Sequence, residues 1–492
     1  MRASRVVSPV AMFATAALPI LTLTFCADTQ ASESAAERQR AVESGLLPGV
    51  VVAGDSVPTY SIAARMEHYK VPGISVAVIN DGKVEWARGY GVERVGSADS
   101  VTASTRFQAA SISKPVAATA ALRLVEEGKL KLDANVNDQL KSWRVPDNKF
   151  TEKQPVTLGE ILSHTAGLTV HGFPGYAAGA KVPSAVGVLD GKGNTDPVRV
   201  DTVPGTVWRY SGGGYTVAQV LMQDVTGEPF ATVMKRLVLD PLGMEQSTYV
   251  QPLPEQLADS AAVAYRSNGN AVEGQWHTYP EQAAAGLWTT PSDLGRFALG
   301  IRAAYLGEVG ALLKQATARQ MLTERKGGYG LGVAVEGSGD SLRFSHGGAN
   351  EGYRAFFVLY PATGDGIAVM TNSDAGAALY MEVVRAVAHV YGWPDFEPET
   401  RTVVQVAPDV VKRYVGEYVL DSDFVITVTQ QGGQLFASYP GQPKARLLAE
   451  SESQFFPEGN ALRLTFERDG KGRVTHLVVR TGGQKLEAKR RG

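Results

Sequence analysis

The chain has 492 residues, a formal net charge of −2 and 20% charged residues. This length allows one large domain or two unequal ones, and the 44% of hydrophobic residues is ordinary for a globular protein with an ample core. A charge balance so close to neutral gives no basic surface of the kind that binds nucleic acid, so we expect no nucleic-acid partner.

Residues 1–31 predict a secretory signal peptide. Arg2 and Arg5 give a positive start, residues 10–25 form an apolar run, and residues 29–31 (Thr-Gln-Ala) offer small side chains for cleavage. No other stretch approaches the run of about 18 apolar residues that spans a membrane. We therefore expect a secreted or periplasmic protein with no stable membrane insertion after the signal is removed.

Cys26 is the only cysteine of the chain. Attachment of a lipid to Cys26 is an alternative to simple cleavage, but the bulky Phe25 stands where such sites have a small residue. If cleavage follows Ala31, the mature chain has no cysteine, which excludes disulfides, thiol catalysis and cysteine metal sites.

An antiparallel pair of strands is predicted near the start of the mature chain. Residues 73–79 are apolar and rich in β-branched side chains, residues 80–82 (Asn-Asp-Gly) are typical of a hairpin turn, and residues 83–90 alternate as the partner strand.

A loop then ends and a helix begins around Ser111. Pro115 fits only the first turn of a helix, apolar residues recur at helical spacing through 116–125, and Gly128 supplies a stop. Residues three apart lie on one helix face, so the Lys114 amine can reach the Ser111 hydroxyl. A serine becomes a nucleophile when a base takes its proton, and a lysine can be that base if burial lowers its pKa.

The middle of the chain is predicted as helices and one long loop. Residues 157–164 indicate a capped short helix, and residues 169–206 are rich in Gly and Pro, as in a surface loop that shapes a site. Residues 216–225 and 291–304 predict two further helices.

Strands return late in the chain. Residues 343–346, 353–360 and 367–371 predict strands, and residues 377–391 predict a helix. Strands near both ends with helices between them predict an α+β fold, in which one antiparallel sheet is flanked by helices and accompanied by an all-helical subdomain.

The composition changes at 392–408 to Pro, Glu and short apolar pieces, which predicts a linker. The alternating segments beyond it predict a small up-and-down β domain, an open or closed barrel. These segments are 424–429, 435–439, 445–448, 461–466 and 474–479. The predicted organisation is a signal peptide at 1–31, a first domain at 32–395 and a small β domain at 408–492.

Two more motifs follow Ser111 and Lys114 along the chain and, together with them, form an ordered set. Tyr210-Ser211-Gly212 follows them, and His346-Gly347-Gly348 lies on a predicted late strand. Ser-x-x-Lys, then Tyr-x-Gly, then a basic residue with glycine two positions on, resembles the serine β-lactamases and penicillin-binding proteins. The likeness is strongest to the class C β-lactamase-like branch, with its esterases and D-peptidases. Similar strings occur there at 107–110 (Phe-Gln-Ala-Ala) and 162–168 (Leu-Ser-His-Thr-Ala-Gly-Leu).

The resemblance implies a role for each motif residue. Ser111 would be the acylated nucleophile, Lys114 its proton acceptor or electrostatic partner, and Tyr210, deprotonated or nearly so, the group that passes a proton to the leaving group. The backbone N–H groups of Ser111 and Ala349 would form the oxyanion hole.

The remaining motif positions are expected to bind substrate. Gly347 and Gly348 would let a substrate approach the late strand closely. His346 stands where the β-lactamases usually have a lysine, and Gly212 where they often have an asparagine that holds the acylamino group of the substrate. A histidine is mostly neutral at pH 7, so both departures favour an esterase or peptidase. The C-terminal segments resemble the lipocalin-like β appendage of some members.

The sequence therefore predicts an exported serine hydrolase that acts through a Ser111 acyl-enzyme on small ester or amide substrates. The alternatives are a true β-lactamase and, in another class, a non-catalytic penicillin-binding or assembly protein. No metal-ligand pattern is present in the sequence, so we expect no metal and no cofactor. His164 is expected to be structural, and His171 to lie on a surface loop, with a position facing the acyl pocket as the alternative.

Overall fold

A computed structural model of the chain describes residues 34–420, 424–439, 444–481 and 484–491. The described residues from Ala35 onward belong to one compact unit. The predicted signal peptide at 1–31 and Cys26 lie outside the described residues. Within the described ranges, no helix combines the length and the apolar character needed to cross a bilayer.

The larger part of the described chain, up to residue 391, combines helices with short and long strands. Its helices are α1 (Ala35–Ser44), α2 (Ile62–Tyr69), α3 (Ser113–Glu126), α4 (Leu158–Leu162), α5 (Ala185–Leu189), α6 (Gly212–Thr226), α7 (Phe230–Met234), α8 (Glu255–Ala258), α9 (Gln282–Ala285), α10 (Pro291–Leu306), α11 (Gln315–Met321) and α12 (Gly376–Tyr391). Its strands are β1 (Val50–Val52), β2 (Gly73–Asn80), β3 (Lys83–Gly91), β4 (Phe107–Gln108), β5 (Trp288–Thr289), β6 (Ala334–Glu336), β7 (Arg343–Asn350), β8 (Tyr353–Leu359) and β9 (Gly366–Thr371).

One six-stranded antiparallel sheet, in the order β3-β2-β9-β8-β7-β6, is built from both ends of this part. β2 pairs with β9, where Val76 lies opposite Val369, and this contact joins the early hairpin to the late strands. The predicted α+β fold with an antiparallel sheet flanked by helices is confirmed.

The two faces of the sheet are covered by different helices, because alternate strand residues point to opposite sides. Val76 and Val369 pack with Leu379 and Val383 of α12. On the other face, side chains such as Phe357 join the larger core that contains α10 and the all-helical subdomain. The helical subdomain is therefore packed against one face of the sheet, and Ser111 lies where the two meet.

Two elements near the site begin or end at different residues from those predicted. α6 starts at Gly212 and not at Thr216, because the Ser211 hydroxyl caps it by accepting a hydrogen bond from the Gly214 N–H at 2.9 Å. Three successive glycines have low helix propensity, which hides this start in the sequence. β7 continues through Gly347 and Gly348 to Asn350 instead of ending at His346.

The C-terminal part contains β10 (Glu399–Arg401), α13 (Pro408–Lys412) and a closed eight-stranded barrel in which each strand pairs with the next. The strands of the barrel are β11 (Gly416–Val419), β12 (Val425–Gln431), β13 (Gln434–Ser438), β14 (Ala445–Ala449), β15 (Gln454–Pro457), β16 (Arg463–Arg468), β17 (Val474–Thr481) and β18 (Gln484–Arg490). β11, β15 and β18 are absent from the sequence prediction. β11 has four residues and begins with glycine, β15 is short and ends in proline, and β18 carries few apolar residues, so none of the three shows a clear strand pattern.

Side chains fill the interior of the barrel. Tyr414, Tyr418, Phe455 and Phe466 are buried together, and the rings of Tyr414 and Phe466 are stacked with centroids 4.2 Å apart. The resemblance to a lipocalin-like appendage therefore holds for the strand arrangement, while the space inside this barrel is occupied by its own core.

The barrel is attached to the rest of the chain by main-chain and side-chain contacts. β1 pairs in parallel with β10, and the Gly49 N–H donates to the Gly459 carbonyl at 2.8 Å. The Arg401 guanidinium is buried, donates to the carbonyls of Ala461 and Leu462 at 2.8 and 3.1 Å, and pairs with Glu399 at 2.6 Å.

Candidate active site

Ser111 lies in a 3₁₀ turn, Ala110–Ile112, directly before α3. Ala110 has φ +51°, a left-handed conformation that is strained for a residue with a Cβ. The turn is held by the Ser113 hydroxyl, which donates to the Ala110 carbonyl at 2.5 Å and accepts from the Leu287 N–H at 2.9 Å. Strain stored beside Ser111 indicates that its position is fixed by the surrounding structure.

Lys114 lies one helical turn after Ser111 and is 2% exposed. Its Nζ lies 2.9 Å from the Ser111 Oγ and donates to the Ala284 carbonyl at 2.8 Å. Burial lowers the pKa of the Lys114 amine to about 7. A neutral amine keeps a lone pair free toward Ser111 while its hydrogens bind the carbonyl, so the arrangement can take a proton from the hydroxyl near neutral pH.

Tyr210 completes a three-residue arrangement around the Ser111 hydroxyl. Its phenol interacts with the Ser111 side chain, and the Lys114 Nζ lies over its ring, 4.8 Å from the centroid. Burial raises the pKa of the Tyr210 phenol above its usual value. Burial therefore favours the protonated phenol, whereas the sequence analysis expects a phenol that is deprotonated or nearly so.

The His164 ring packs against the ring of Tyr210. The two rings are 4.2 Å apart at their centroids, and the His164 Nδ1 accepts the Ser211 N–H at 3.1 Å. Burial lowers the pKa of His164 well below its usual value, so the ring is neutral with its proton on Nε2. His164 also has φ +59°, and this second left-handed residue lies beside the arrangement. His171 is solvent-exposed, as expected of a loop residue, and also lines the cavity.

His346 is buried on β7 and both of its ring nitrogens have partners. The Nδ1 lies 2.6 Å from the Gly347 carbonyl, which can only accept, so the proton is on Nδ1. The Nε2 lies 2.8 Å from the Tyr329 hydroxyl and therefore accepts from it. Burial, with a smaller contribution from Lys114, lowers the pKa of His346 to about 3. His346 thus has no charge to offer an anionic substrate at neutral pH.

The end of β7 forms an open edge beside Ser111. β6 pairs only with Arg343, Phe344 and Ser345, so the following residues have no strand on that side. A Cβ on Gly348 would overlap the Ala109 carbonyl oxygen, so the glycine is what lets β7 approach the Ser111 turn. Ala349 lines the same cavity as Ser111. Their joint role as an oxyanion hole stays a prediction.

The site opens into a cavity of about 780 Å³. The residues that line it are Ser111, His171, Gly172, Phe173, Trp208, Tyr210, Gly327, Gly328, Tyr329, Ala334, Glu336, Ser345, His346, Gly347, Gly348, Ala349, Arg354, Ala377 and Tyr380. None of them comes from the barrel. The charged residues of the lining are each paired outside it, Glu336 with Arg343 and Arg354 with Asp374. Among the described residues, no group of three or more His, Cys, Asp or Glu is arranged to hold a metal ion.

The structure therefore brings together most of the predicted site residues, namely Ser111, Lys114, Tyr210, His346, Gly347, Gly348 and Ala349. Gly212 is the first residue of α6, two positions after Tyr210. Sequence reasoning missed the Ala284 carbonyl, since a main-chain acceptor leaves no mark in the residue types. It also missed Phe173, Trp208 and Tyr329. Tyr329 stands in the glycine-rich string at 327–330, which is the one signal that could have drawn attention to it.

Comparison with known proteins places these features in a family. The family model described as Beta-lactamase matches residues 61–391, and one described as a domain of unknown function (DUF3471) matches residues 400–490. Penicillin-binding protein 4 of Amycolatopsis lactamdurans is 27% identical over 340 residues, which is 66% of this chain and 86% of the relative. Esterase EstB of Burkholderia gladioli is 29% identical over 222 residues, 41% of this chain and 55% of the relative.

The fold is also shared with solved structures. The octameric penicillin-binding protein homologue from Pyrococcus abyssi superposes with a TM-score of 0.60 at 21% identity, covering 87% of this chain and 98% of that one. At this level of identity the likeness concerns the fold alone.

Proposed function

We propose, from the premise that this chain belongs to the beta-lactamase family of serine hydrolases, that it cleaves esters and amides through an acyl-enzyme on Ser111. The observation that carries the proposal is the buried Lys114 amine, 2.9 Å from the Ser111 Oγ in the wall of a large cavity. Burial lowers the pKa of this amine to about 7, whereas it raises the pKa of the neighbouring Tyr210 phenol.

The first half of the reaction begins with the neutral Lys114 amine. As the Ser111 Oγ bonds to the substrate carbonyl carbon, its proton passes to the Lys114 Nζ. The negative charge that develops on the carbonyl oxygen would be met by the N–H groups of Ser111 and Ala349. When the tetrahedral intermediate collapses, the bond to the alcohol or amine breaks, and Tyr210 gives its phenolic proton to that leaving group. The Lys114 ammonium then returns a proton to Tyr210.

The second half reverses these roles with water. A water molecule attacks the acyl carbonyl and gives a proton to Lys114, and the Ser111 Oγ leaves with a proton relayed from Lys114. A protonated phenol in the resting site suits this scheme, since Tyr210 then acts first as an acid.

The electrostatics of the cavity favour uncharged substrates. His346 is neutral and engaged with Tyr329, and both charged lining residues are paired. A β-lactam antibiotic presents a carboxylate, and the one cationic side chain among the described lining residues, Arg354, is already paired with Asp374. We therefore favour an ester or a neutral amide over a true β-lactamase substrate. The partial likeness to an esterase is in keeping with this preference.

The decisive test is to locate the acylated residue. Incubation with a fluorophosphonate, followed by peptide mapping and mass spectrometry, should give one adduct on Ser111, and Ser111→Ala should give none. A labelled residue other than Ser111, or an unlabelled protein that still turns over ester, would overturn the proposal. Turnover of a p-nitrophenyl ester should exceed that of nitrocefin, and the reverse would make the chain a β-lactamase.

We also propose that the protein is exported and that its functional parts are the catalytic domain at 32–395 and the barrel domain at 408–492. The composition of residues 1–31 supports export, and the two family matches at 61–391 and 400–490 support the division. Intact mass of the protein recovered from the periplasm or medium tests export directly. A mass that includes residues 1–31 would contradict it.

A further inference from the structure

Beside the cavity, the aromatic ring of Phe173 occupies the space that a side chain at position 212 would fill. Gly212 opens α6 in ordinary helical conformation, so its backbone would accept any residue. A Cβ built there would lie 2.9 Å from the Phe173 Cε2 and 3.0 Å from the His171 carbonyl oxygen. The ring of Phe173 therefore occupies the space into which a side chain at 212 would project.

Phe173 is held in this position by a loop that is fastened on both sides. The Gly212 N–H donates to the His171 carbonyl at 2.9 Å, and Tyr176 exchanges two main-chain hydrogen bonds with Thr278, at 2.9 and 2.8 Å. The Phe173 side chain is half-buried against the main core and lines the cavity that holds Ser111. Its position is thus part of the folded architecture of the site.

Phe173 shares its cavity with three other aromatic residues. Trp208, which is 39% exposed, lines the cavity with Tyr210 and Tyr329. The Tyr329 hydroxyl is already bound to His346. An amide placed against the Phe173 ring would lose hydrogen bonds to water, because the ring offers it no partner, whereas a hydrocarbon or aryl group would gain burial.

We propose that Phe173, standing over the side-chain-free Gly212, determines specificity by favouring substrates with a hydrocarbon or aryl substituent and disfavouring those with an amide at that place. This inference deepens the proposed hydrolase activity and rests on Ser111 being its nucleophile. Phe173 acts on the choice of substrate and takes no part in bond making or breaking.

Two matched substrate pairs test the proposal without assuming which half of the substrate contacts Phe173. The acyl pair is p-nitrophenyl 3-phenylpropanoate and the p-nitrophenyl ester of N-acetylphenylalanine, in both enantiomers. The alcohol pair is 4-ethylphenyl butyrate and 4-acetamidophenyl butyrate. Each kcat/KM is normalised to the rate of hydroxide hydrolysis of the same ester. The wild type should prefer the hydrocarbon member of at least one pair by about 10-fold or more.

Variants then assign the preference to Phe173. Phe173→Ala should reduce the preference to within about threefold, while Phe173→Leu, which keeps an apolar side chain, should retain most of it. Val182→Ala, an exposed position in the same loop that is outside the cavity lining, should leave the ratio unchanged. Gly212→Ala should lower the rate on the hydrocarbon member, and Phe173→Leu should restore part of that loss.

The outcomes distinguish a failure of the specificity inference from a failure of the proposed hydrolase activity. Circular dichroism and thermal unfolding like those of the wild type show that each variant is folded, and Phe173→Leu with Gly212→Ala remains informative if Phe173→Ala does not fold. A labelled wild type that shows no preference in either pair, or a preference that survives in Phe173→Ala, overturns the inference. A wild type that is not labelled on Ser111 overturns the proposed function itself.

Discussion

Polar side chains are buried both around Ser111 and inside the C-terminal barrel, but the two regions differ in how these side chains are partnered. In the cavity, Lys114 and His346 are titratable groups held without an opposite charge, and burial lowers the pKa of each. In the barrel, the Tyr414 hydroxyl donates to the Glu452 carbonyl and the Tyr418 hydroxyl donates to the Tyr414 carbonyl.

The difference shows where this chain accepts a cost in stability. Two of the seven described non-glycine residues with positive φ, Ala110 and His164, lie next to the catalytic groups, and the His164 Nε2 has no hydrogen-bond partner among the described residues. Strained backbone and unpaired polar groups persist only where surrounding packing holds them, and such features concentrate at functional sites. Substitutions in the cavity should therefore change activity more than stability, and substitutions in the barrel should do the opposite.

The largest effect is expected for Lys114→Met. Without the amine, kcat/KM should fall on the order of 10³–10⁴-fold, because general-base help to Ser111 is lost. Steady-state kinetics on a p-nitrophenyl ester measures this, and Lys131→Met, at an exposed lysine, is the control.

The same variant should be more stable than the wild type at low pH. The Lys114 pKa is about 7 in the folded protein, against 10.5 as its reference value, so below pH 7 the folded state holds a buried charge. Between pH 7 and 10.5 the unfolded chain binds more protons, and wild-type stability rises with pH. The advantage of Lys114→Met in the free energy of unfolding should thus be greatest below pH 7 and shrink above it. An advantage that grows with pH would contradict the assignment.

Phe466→Ala, in the barrel, should lower stability and leave activity unchanged. Phe466 is buried and stacked on Tyr414, so its loss should cost about 3–5 kcal/mol of unfolding free energy. Because none of the described barrel residues lines the cavity, kcat/KM at a temperature where the variant is folded should be unchanged. Phe436→Ala, at a partly exposed position of β13, should be far milder. Denaturant titration together with ester kinetics decides the matter, and a parallel loss of activity would mean that the barrel shapes the site.

Tyr210→Phe should reduce kcat by about 10²-fold, since one proton donor to the leaving group is removed. The loss should be larger for an alkyl ester than for a p-nitrophenyl ester, whose leaving group needs little protonation. Equal losses on both esters would place Tyr210 in a purely structural role.

The smallest effect is expected at the attachment of the barrel. Arg401→Ala leaves the carbonyls of Ala461 and Leu462 without their donor, which should cost about 1–3 kcal/mol in thermal or denaturant unfolding. Arg491→Ala removes an exposed ion pair with Glu417 and should cause no measurable change. Equal effects of the two substitutions would mean that Arg401 contributes little to the attachment.

Sequence reasoning predicted the sheet from local patterns. The apolar runs of β2, β8 and β9 and the alternation in β3 are properties of the residues themselves, so these strands could be predicted. The glycines at the start of α6 and in β7 are set by what packs against them, Phe173 and Ala109, which are distant in the sequence. β18 is stabilised by its place in the closed barrel and not by its own composition.

The candidate site shows the same limit. The order of the motifs predicted which residues would meet, but not how deeply each one is buried. Burial lowers the pKa of His346 and raises the pKa of Tyr210, which favours the neutral imidazole and the protonated phenol. Both facts depend on contacts between distant parts of the chain.

The most direct test of the account is the rate at which a fluorophosphonate labels Ser111 as a function of pH. For the wild type, the rate should rise with pH and level off above a midpoint near 7, because the neutral form of Lys114 is the active one. In Lys114→Met the rate should be low and show no such midpoint. A wild-type rate that is independent of pH between 5 and 9, or a midpoint that survives in Lys114→Met, would contradict the claim that the buried amine activates the serine.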